Sequence, residues 1–194
     1  KLLEPFSAAP CQTLKPEEHT QLGLFAPVEP KVKKEIEKLQ NLKALEFINK
    51  IPNGETTGFL SDFSDNDFCY VSYENKVAKI PCNEIESFIK NPEIKKVTYD
   101  IKSLNFDIKG IISDIQISSY IKDSSRKHDL ITQIQECLEI IPDENDYYML
   151  CSYLVDLYEF YNKTLSEKEL KLLNEVELPL SAVLKDMENQ GVKL

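Results

Sequence analysis

The chain has 194 residues, of which 42% are hydrophobic and 29% are charged, a composition typical of globular domains and unlike that of disordered chains. Acidic residues outnumber basic ones 33 to 23, and the net charge of −10 argues against a protein whose main role is unaided nucleic-acid binding. No apolar run approaches the roughly 18 residues of a membrane span, and no signal-peptide pattern opens the chain, so we expect a cytoplasmic protein.

The first thirty residues hold five of the ten prolines. Repeated proline removes backbone donors and fixes φ, so residues 1–34 are predicted to form a linker or extended arm. A helix follows, with Asn41 as its N-cap and Pro52 just beyond its end.

Short segments rich in β-branched and aromatic residues come next, at 57–63, 67–73 and 76–80. Turn-forming residues separate them, so they predict three antiparallel strands. A helix over 82–91 is expected after them, with Asn83 as its N-cap.

The chain then alternates between strand and helix signals. The pattern predicts a strand over 94–100 and a helix over 101–110 that ends at Gly110. A short strand leads to a helix capped by Asp114. This order predicts an α/β layer fold with a small mixed sheet.

The remaining chain is predicted to be helical. Apolar residues share one face over 126–141, and a long helix with five tyrosines is expected over 143–165. Ser166 and Glu169 have the spacing of a capping box, and a break or a new helix start is expected near Pro179.

The cysteines are five in number and widely spaced, with no CxxC pair. This usage argues against a zinc site or a disulfide framework and predicts reduced, mostly buried thiols. Only two histidines are present, so a nucleophilic hydrolase site has little support. These residues are Cys11, Cys69, Cys82, Cys137, Cys151, His19 and His128.

The last nineteen residues, VELPLSAVLKDMENQGVKL, match a family pattern at nine positions: Glu177, Pro179, Leu180, Val183, Leu184, Met187, Glu188, Gly191 and Val192. They resemble the segment that opens the polymerase domain of bacterial DNA polymerase I, a family A polymerase. The segments 113–130 and 98–104 resemble exonuclease-domain segments of the same family, in the same order along the chain.

The resemblance implies a 3′-5′ exonuclease-like domain of ribonuclease H-like fold, with a central mixed sheet of about five strands flanked by helices. It divides the chain into the arm 1–34, the exonuclease-like domain 35–176, and the first polymerase segment 177–194. It also implies a role in DNA replication and repair, with the polymerase domain of the same chain as partner. DNA would be bound through the intact polymerase, and only weakly by the isolated domain.

The family's active members resemble two-metal nucleases, which hold Mg²⁺ or Mn²⁺ with four carboxylates. The motifs are Asp-x-Glu, a later Asp, and Tyr-x-x-x-Asp. Here Asp62 takes the first position, but Ser64 stands at the Glu and Leu104 at the later Asp.

The third motif lacks its acid in either of two alignments. If Tyr148 is the motif tyrosine, Ser152 replaces the Asp; if the alignment is anchored on Asp156, Leu154 replaces it. Asp62 is then the single remaining ligand, a vestigial metal-site position, and we expect no catalytic residue, no metal and no cofactor in this domain.

The acidic and aromatic residues also have structural interpretations. Asp62 fits a solvated acidic turn, Asp100 fits an N-cap where active members often have Asn, and Asp114 and Asp156 fit cap and surface roles. His128 fits a structural role, and the tyrosines of 147–161 fit packing rather than base stacking. The lysines scattered among acids fit a solvated face.

The sequence thus favours a degenerate, catalytically inactive 3′-5′ exonuclease domain that acts as a structural module beside a DNA-directed DNA polymerase. Two alternatives stay open. One is an active two-metal exonuclease whose ligands are misaligned above. The other is a protein-interaction module that uses the acidic surface or the proline-rich arm.

Overall fold

The computed structural model of the chain describes residues 34–62, 67–104 and 106–191. The predicted arm 1–34 therefore lies outside the described residues except for Lys34, as do residues 192–194 at the end of the predicted polymerase segment.

The described residues form one mixed sheet of six strands in the order β1-β4-β3-β2-β5-β6. Strands β2, β3 and β4 form an antiparallel meander, whereas β1 runs parallel to β4, and β5 runs parallel to both β2 and β6. The strands are β1 Glu37–Gln40, β2 Thr56–Ser61, β3 Phe68–Tyr73, β4 Lys76–Pro81, β5 Lys95–Thr98 and β6 Ile111–Asp114.

Eight α-helices accompany the sheet in the described part of the chain. Two 3₁₀ turns, Cys82–Glu84 and Ile101–Ser103, and a π-helical turn, Leu173–Glu177, complete the regular structure. The helices are α1 Asn41–Ile48, α2 Glu86–Lys90, α3 Ile115–Lys122, α4 Leu130–Leu138, α5 Tyr147–Ser152, α6 Leu154–Thr164, α7 Glu167–Leu172 and α8 Leu178–Gln190. No described helix has the length and apolarity that a membrane span requires.

Helices cover both faces of the sheet, because successive strand residues point to opposite sides. Phe59 packs in a first core with residues of α1 and α2, whereas its neighbour Leu60 packs in a second core with residues of α3 to α6. The fold class predicted from the sequence, an α/β sheet flanked by helices, is confirmed.

Gly58 allows the junction of α5 and α6 to lie directly on β2. A Cβ atom at this position would come within 2.7 Å of the Cys151 carbonyl oxygen and 3.3 Å of the Leu154 Cβ. A side chain here would displace the junction of α5 and α6.

The strand count differs from the predicted five because β1 was not foreseen. It is an edge strand in which only Leu39 is buried, so its sequence lacks the apolar alternation that marks a strand. The three antiparallel strands, the Asp114 cap and the Ser166–Glu169 capping box are confirmed.

Several predicted helix ends are wrong. Asn41 is the first helical residue and Gln40 precedes it as the N-cap, with no side-chain hydrogen bond. Asn83 lies in a 3₁₀ turn, and α2 begins only at Glu86. The long helix predicted over 143–165 is interrupted at Tyr153, which separates α5 from α6.

The helix predicted over 101–110 is wrong, since only Ile101–Ser103 forms a 3₁₀ turn. Leu104 and Ile108 have helical spacing, but both enter the first core from a non-helical chain. Near Pro179 the chain stays helical, and the expected break is the π-helical turn that leads into α8.

The prediction of reduced thiols is wrong for Cys69 and Cys82, which form a disulfide with a Cα–Cα distance of 5.5 Å. Cys82 follows directly after β4, the antiparallel neighbour of the strand that carries Cys69, so the hairpin brings the two together. Cys137 and Cys151 are free, and Cys151 is buried.

Lys96 contradicts the expectation that the lysines form a solvated face. Its side chain is fully buried, and its ammonium donates to the carbonyl oxygens of Asn91, Ile94 and Lys109 at 2.7 to 3.0 Å. Burial lowers the pKa of this lysine to about 8. The three carbonyls tie the ammonium to the loops on either side of β5.

Candidate functional site

Asp62, the single predicted metal-site residue, lies directly after β2. Its backbone N–H donates to the Phe68 carbonyl oxygen at 3.0 Å, so the chain still pairs with β3 at this point. The residue is 5% exposed, which corrects the alternative of a solvated acidic turn. A buried carboxylate needs hydrogen-bond and charge partners to remain ionised.

Lys79 supplies positive charge at this carboxylate. Its ammonium lies 3.8 Å from Asp62 Oδ2, and the Tyr70 hydroxyl donates a long hydrogen bond of 3.5 Å to the same oxygen. Tyr70 and Lys79 are directly opposite each other in the β3–β4 register. Burial, and next the charge of Asp62, raise the pKa of Tyr70, so the phenol keeps its proton and remains a donor.

Aromatic rings fix the position of Lys79. Its ammonium lies 4.7 Å from the ring centre of Phe68 and 5.4 Å from that of Tyr70, within the range of cation–π attraction. The Tyr70 ring in turn stacks on Tyr147 at 5.5 Å and meets Tyr148 edge-on at 5.1 Å. The expectation that these tyrosines serve packing is confirmed.

The other motif positions are occupied by groups that serve packing or local hydrogen bonding. The Ser152 hydroxyl donates to the Met149 carbonyl oxygen within α5 at 2.7 Å, and Leu154 is fully buried in the second core. Leu104 belongs to the first core. Ser64, at the predicted Glu position, lies outside the described residues.

Asp114 is a fully buried acid at the end of β6. It accepts backbone N–H groups from Asp100, Ile101, Gln116 and Ile117 at 2.7 to 3.3 Å. Burial raises its pKa to about 6, although the four N–H groups act in the opposite direction. Asp114 therefore has the cap role predicted for it and joins the ends of β5 and β6.

Asp100 occupies the predicted N-cap position, before the 3₁₀ turn Ile101–Ser103, but it does not cap the turn with its side chain. Its backbone is left-handed, at φ 54° and ψ 67°, and its side chain makes no capping hydrogen bond. Asp114 takes up its backbone N–H instead. Asp156, predicted to be a surface residue, is partly exposed and forms an ion pair with Lys34 at 2.6 Å.

His128 is tied into the structure on two sides. Its Nδ1 shares a hydrogen bond with the Ser119 hydroxyl at 2.8 Å, and its carbonyl oxygen accepts from the Tyr99 hydroxyl at 3.2 Å. The Tyr120 ring lies 5.4 Å away in an edge-on contact. These contacts agree with the structural role expected from the sequence.

No three acidic, histidine or cysteine side chains among the described residues are placed to hold one metal ion. The Lys79 ammonium near Asp62 is positively charged and has no lone pair with which to bind a metal ion, and the Tyr70 phenol donates to the carboxylate. Neither residue was predicted from the sequence. Lys79 had one signal: it is a charged residue in an otherwise apolar stretch, VAKI, of a predicted strand.

Solved structures share this fold. The POL domain of Pol1 from M. smegmatis, in complex with DNA primer-template and dNTP, is similar with a TM-score of 0.71 and 15% identity, over 81% of this chain and 33% of that one. Brucella melitensis NrnC with bound Mg²⁺ is similar with a TM-score of 0.56 and 13% identity, over 82% of this chain and 97% of that one. The catalytic core of RRP6 from Trypanosoma brucei is similar with a TM-score of 0.54 and 11% identity, over 75% of this chain and 52% of that one.

The chain spans about a third of the length of the M. smegmatis structure. No protein-family model matches it, and no curated protein matches it. At these identities the similarity concerns the fold alone. The chain therefore has a ribonuclease H-like, 3′-5′ exonuclease-like fold.

Proposed function

We propose that this chain is a 3′-5′ exonuclease-like domain without metal-dependent nuclease activity, and that it serves as a structural module beside a DNA polymerase domain. The observation that carries the proposal is the surroundings of Asp62. A two-metal site needs several carboxylates around ions about 3.5–4 Å apart. Asp62 instead has the ammonium of Lys79 as its neighbour, and a cation entering there would meet that positive charge.

The polymerase context is supported by the outer face of the C-terminal helices. Val176, Val183 and Met187 are each about half exposed, at 48%, 54% and 54%. Lys185 anchors α8 to the body through a 2.7 Å hydrogen bond to the Phe106 carbonyl oxygen. A fixed helix with an exposed apolar face is typical of a surface that another domain covers, and the polymerase-like segment 177–194 includes α8.

The charge of the chain supports weak DNA binding by the isolated domain. Its net charge is −10, and Arg126, the single arginine, pairs with Asp123 and Glu136. Binding to phosphates depends on clustered basic side chains that release condensed counterions. In replication and repair, DNA would be held by the neighbouring polymerase domain.

The test is a nuclease assay with a 5′-labelled single-stranded oligonucleotide and either Mg²⁺ or Mn²⁺. We expect the oligonucleotide to stay full length with the wild-type chain. Shortening that Asp62→Ala abolishes, and that Asp107→Ala, a change at an exposed carboxylate outside the motifs, leaves intact, would overturn the proposal and favour an active exonuclease.

A further inference from the structure

A cavity of about 260 Å³ lies between α8 and the carboxyl ends of β5 and β6. Asp100, which follows β5, and Asp114, the last residue of β6, line it on one side, and Glu177 and Leu180 line it on the other. Ligands of open α/β sheets bind outside the carboxyl ends of the strands. Asp62 and Lys79 do not line this cavity, so it is separate from the Asp62 site.

Acidic side chains outnumber basic ones in the described lining of the cavity. The carboxylates of Asp100 and Glu177 make no hydrogen bond or ion pair with the residues that the structure describes. Asp114 is fully buried and is held by backbone N–H groups alone. Against these three acids, the described lining contains a single permanent cation, Lys102.

The lining also determines the size and character of the occupant. No three of its described acidic and histidine side chains are placed to share a metal ion, and its volume of about 260 Å³ has room for a small organic group. Tyr120, Leu180 and Leu184 supply an apolar surface, and Tyr120 and Leu180 are well exposed. His128 Nε2 is buried and has no partner among the described residues, so it is available to a polar group of a ligand.

We propose that this cavity binds a guanidinium, amidinium or primary ammonium group carried on an apolar stem. The N–H groups of such a cation would donate to Asp100 and Glu177, as charge-assisted hydrogen bonds to carboxylates do. The stem would lie against Tyr120 and Leu180, which suits a pocket with an apolar lining and a few polar groups. The cation would also offset the charge of buried Asp114.

The probe is benzamidine, titrated into the 194-residue chain and followed by amide NMR shifts and calorimetry. Benzamide and benzoate are the neutral and anionic controls of the same shape. We expect benzamidine to shift the amides of Asp100, Gln116 and Tyr120, and to bind at least tenfold more tightly than benzamide, with no binding of benzoate.

Variants test whether the carboxylates carry the affinity. Asp100→Asn combined with Glu177→Gln keeps the shape of the cavity, and should weaken benzamidine binding at least tenfold. Glu175→Gln changes an exposed acid outside the cavity, which pairs with Lys171, and should leave the affinity unchanged. Equal binding of benzamide, shifts at other residues, or an unchanged affinity in the double variant would each overturn the proposal.

Two sources can supply such a cation, a side chain of a docked protein and a free small amine. A peptide with arginine between leucines would cover Val183 and Met187 as well, whereas agmatine would fill only the cavity. Tenfold tighter binding of the peptide, lost in Val183→Asp, would identify a protein side chain. Equal affinities would identify a free amine.

Discussion

Replacement of Lys79 by methionine tests whether its ammonium offsets the charge of Asp62. Methionine keeps the length and apolar character of the stem but removes the charge. The Asp62 side chain is 6% exposed and that of Lys79 31% exposed, at a separation of 3.8 Å. Removing one partner of a fully buried pair costs about 3–5 kcal/mol, and exposed pairs contribute about 0–1 kcal/mol.

The solvent exposure of this pair lies between that of a fully buried pair and that of an exposed pair. In the variant, Asp62 also keeps its hydrogen bond from Tyr70. We therefore expect Lys79→Met to lower the free energy of unfolding by about 2 kcal/mol, or the melting temperature by about 4–8 °C in a domain of this size. The matched control is Lys76→Met in the same strand. Lys76 pairs with Glu37 at 3.4 Å, and both side chains are largely exposed, so its loss should cost less than about 1 kcal/mol.

The assay is urea and thermal unfolding followed by circular dichroism, with a double-mutant cycle. Asp62→Asn in the Lys79→Met background removes the carboxylate that has lost its ammonium, and should restore most of the lost stability. If Lys79→Met is neutral, or if Asp62→Asn gives no rescue, the charge pairing inferred for this site is wrong.

Three further outcomes are expected. Burial raises the pKa of Asp114 from 3.8 to about 6, so its ionisation opposes folding. The contribution of Asp114 to the free energy of unfolding should fall by about 2 kcal/mol as the pH rises from about 4 to 7, and the difference between wild type and Asp114→Asn in urea titrations should change with pH by that amount. The Cys69–Cys82 disulfide closes a separation of 13 residues, so Cys82→Ser should cost about 3 kcal/mol in unfolding experiments, and a reducing agent should then have no further effect. Fluorescence anisotropy at about 50 and 200 mM salt should give DNA dissociation constants no tighter than about 10⁻⁴–10⁻⁶ M, and sub-micromolar binding at the higher salt would reveal an unrecognised nucleic-acid groove.

The sheet could be predicted from sequence wherever local chemistry and tertiary structure agree. The segments around β2, β3 and β4 carry β-branched and aromatic residues between turn signals, and they form the expected meander. β1 could not be foreseen, because a parallel edge strand with one buried side chain has little pattern to detect. The segment after β5 was wrongly predicted to be a helix for the opposite reason, because Leu104 and Ile108 have the spacing of residues on one helix face.

The candidate site was predictable only in part. Asp62 is found by its place in a motif, since motif spacing is a property of the chain itself. The position of its partner Lys79 depends on the register between β3 and β4 and on the path of the chain as it leaves β2. Neither of these can be predicted from the spacing of residues in the sequence. The same holds for Asp100, whose left-handed backbone arises because the Asp114 carboxylate receives its N–H.

The two buried acids of this chain, Asp62 and Asp114, have different partners within the fold. Asp62 lies beside the Lys79 ammonium, which contacts two aromatic rings, whereas Asp114 accepts four backbone N–H groups that counter only part of the cost of its burial. Strand pairing or a helix start already fixes these partner groups. Placing them beside the acids therefore requires little additional loss of conformational entropy. On the proposed function, introducing an acid at one aligned position, for example by Ser152→Asp, would not supply the remaining carboxylates of a two-metal site. Nuclease activity should therefore require several acids to be introduced together and Lys79 to be removed.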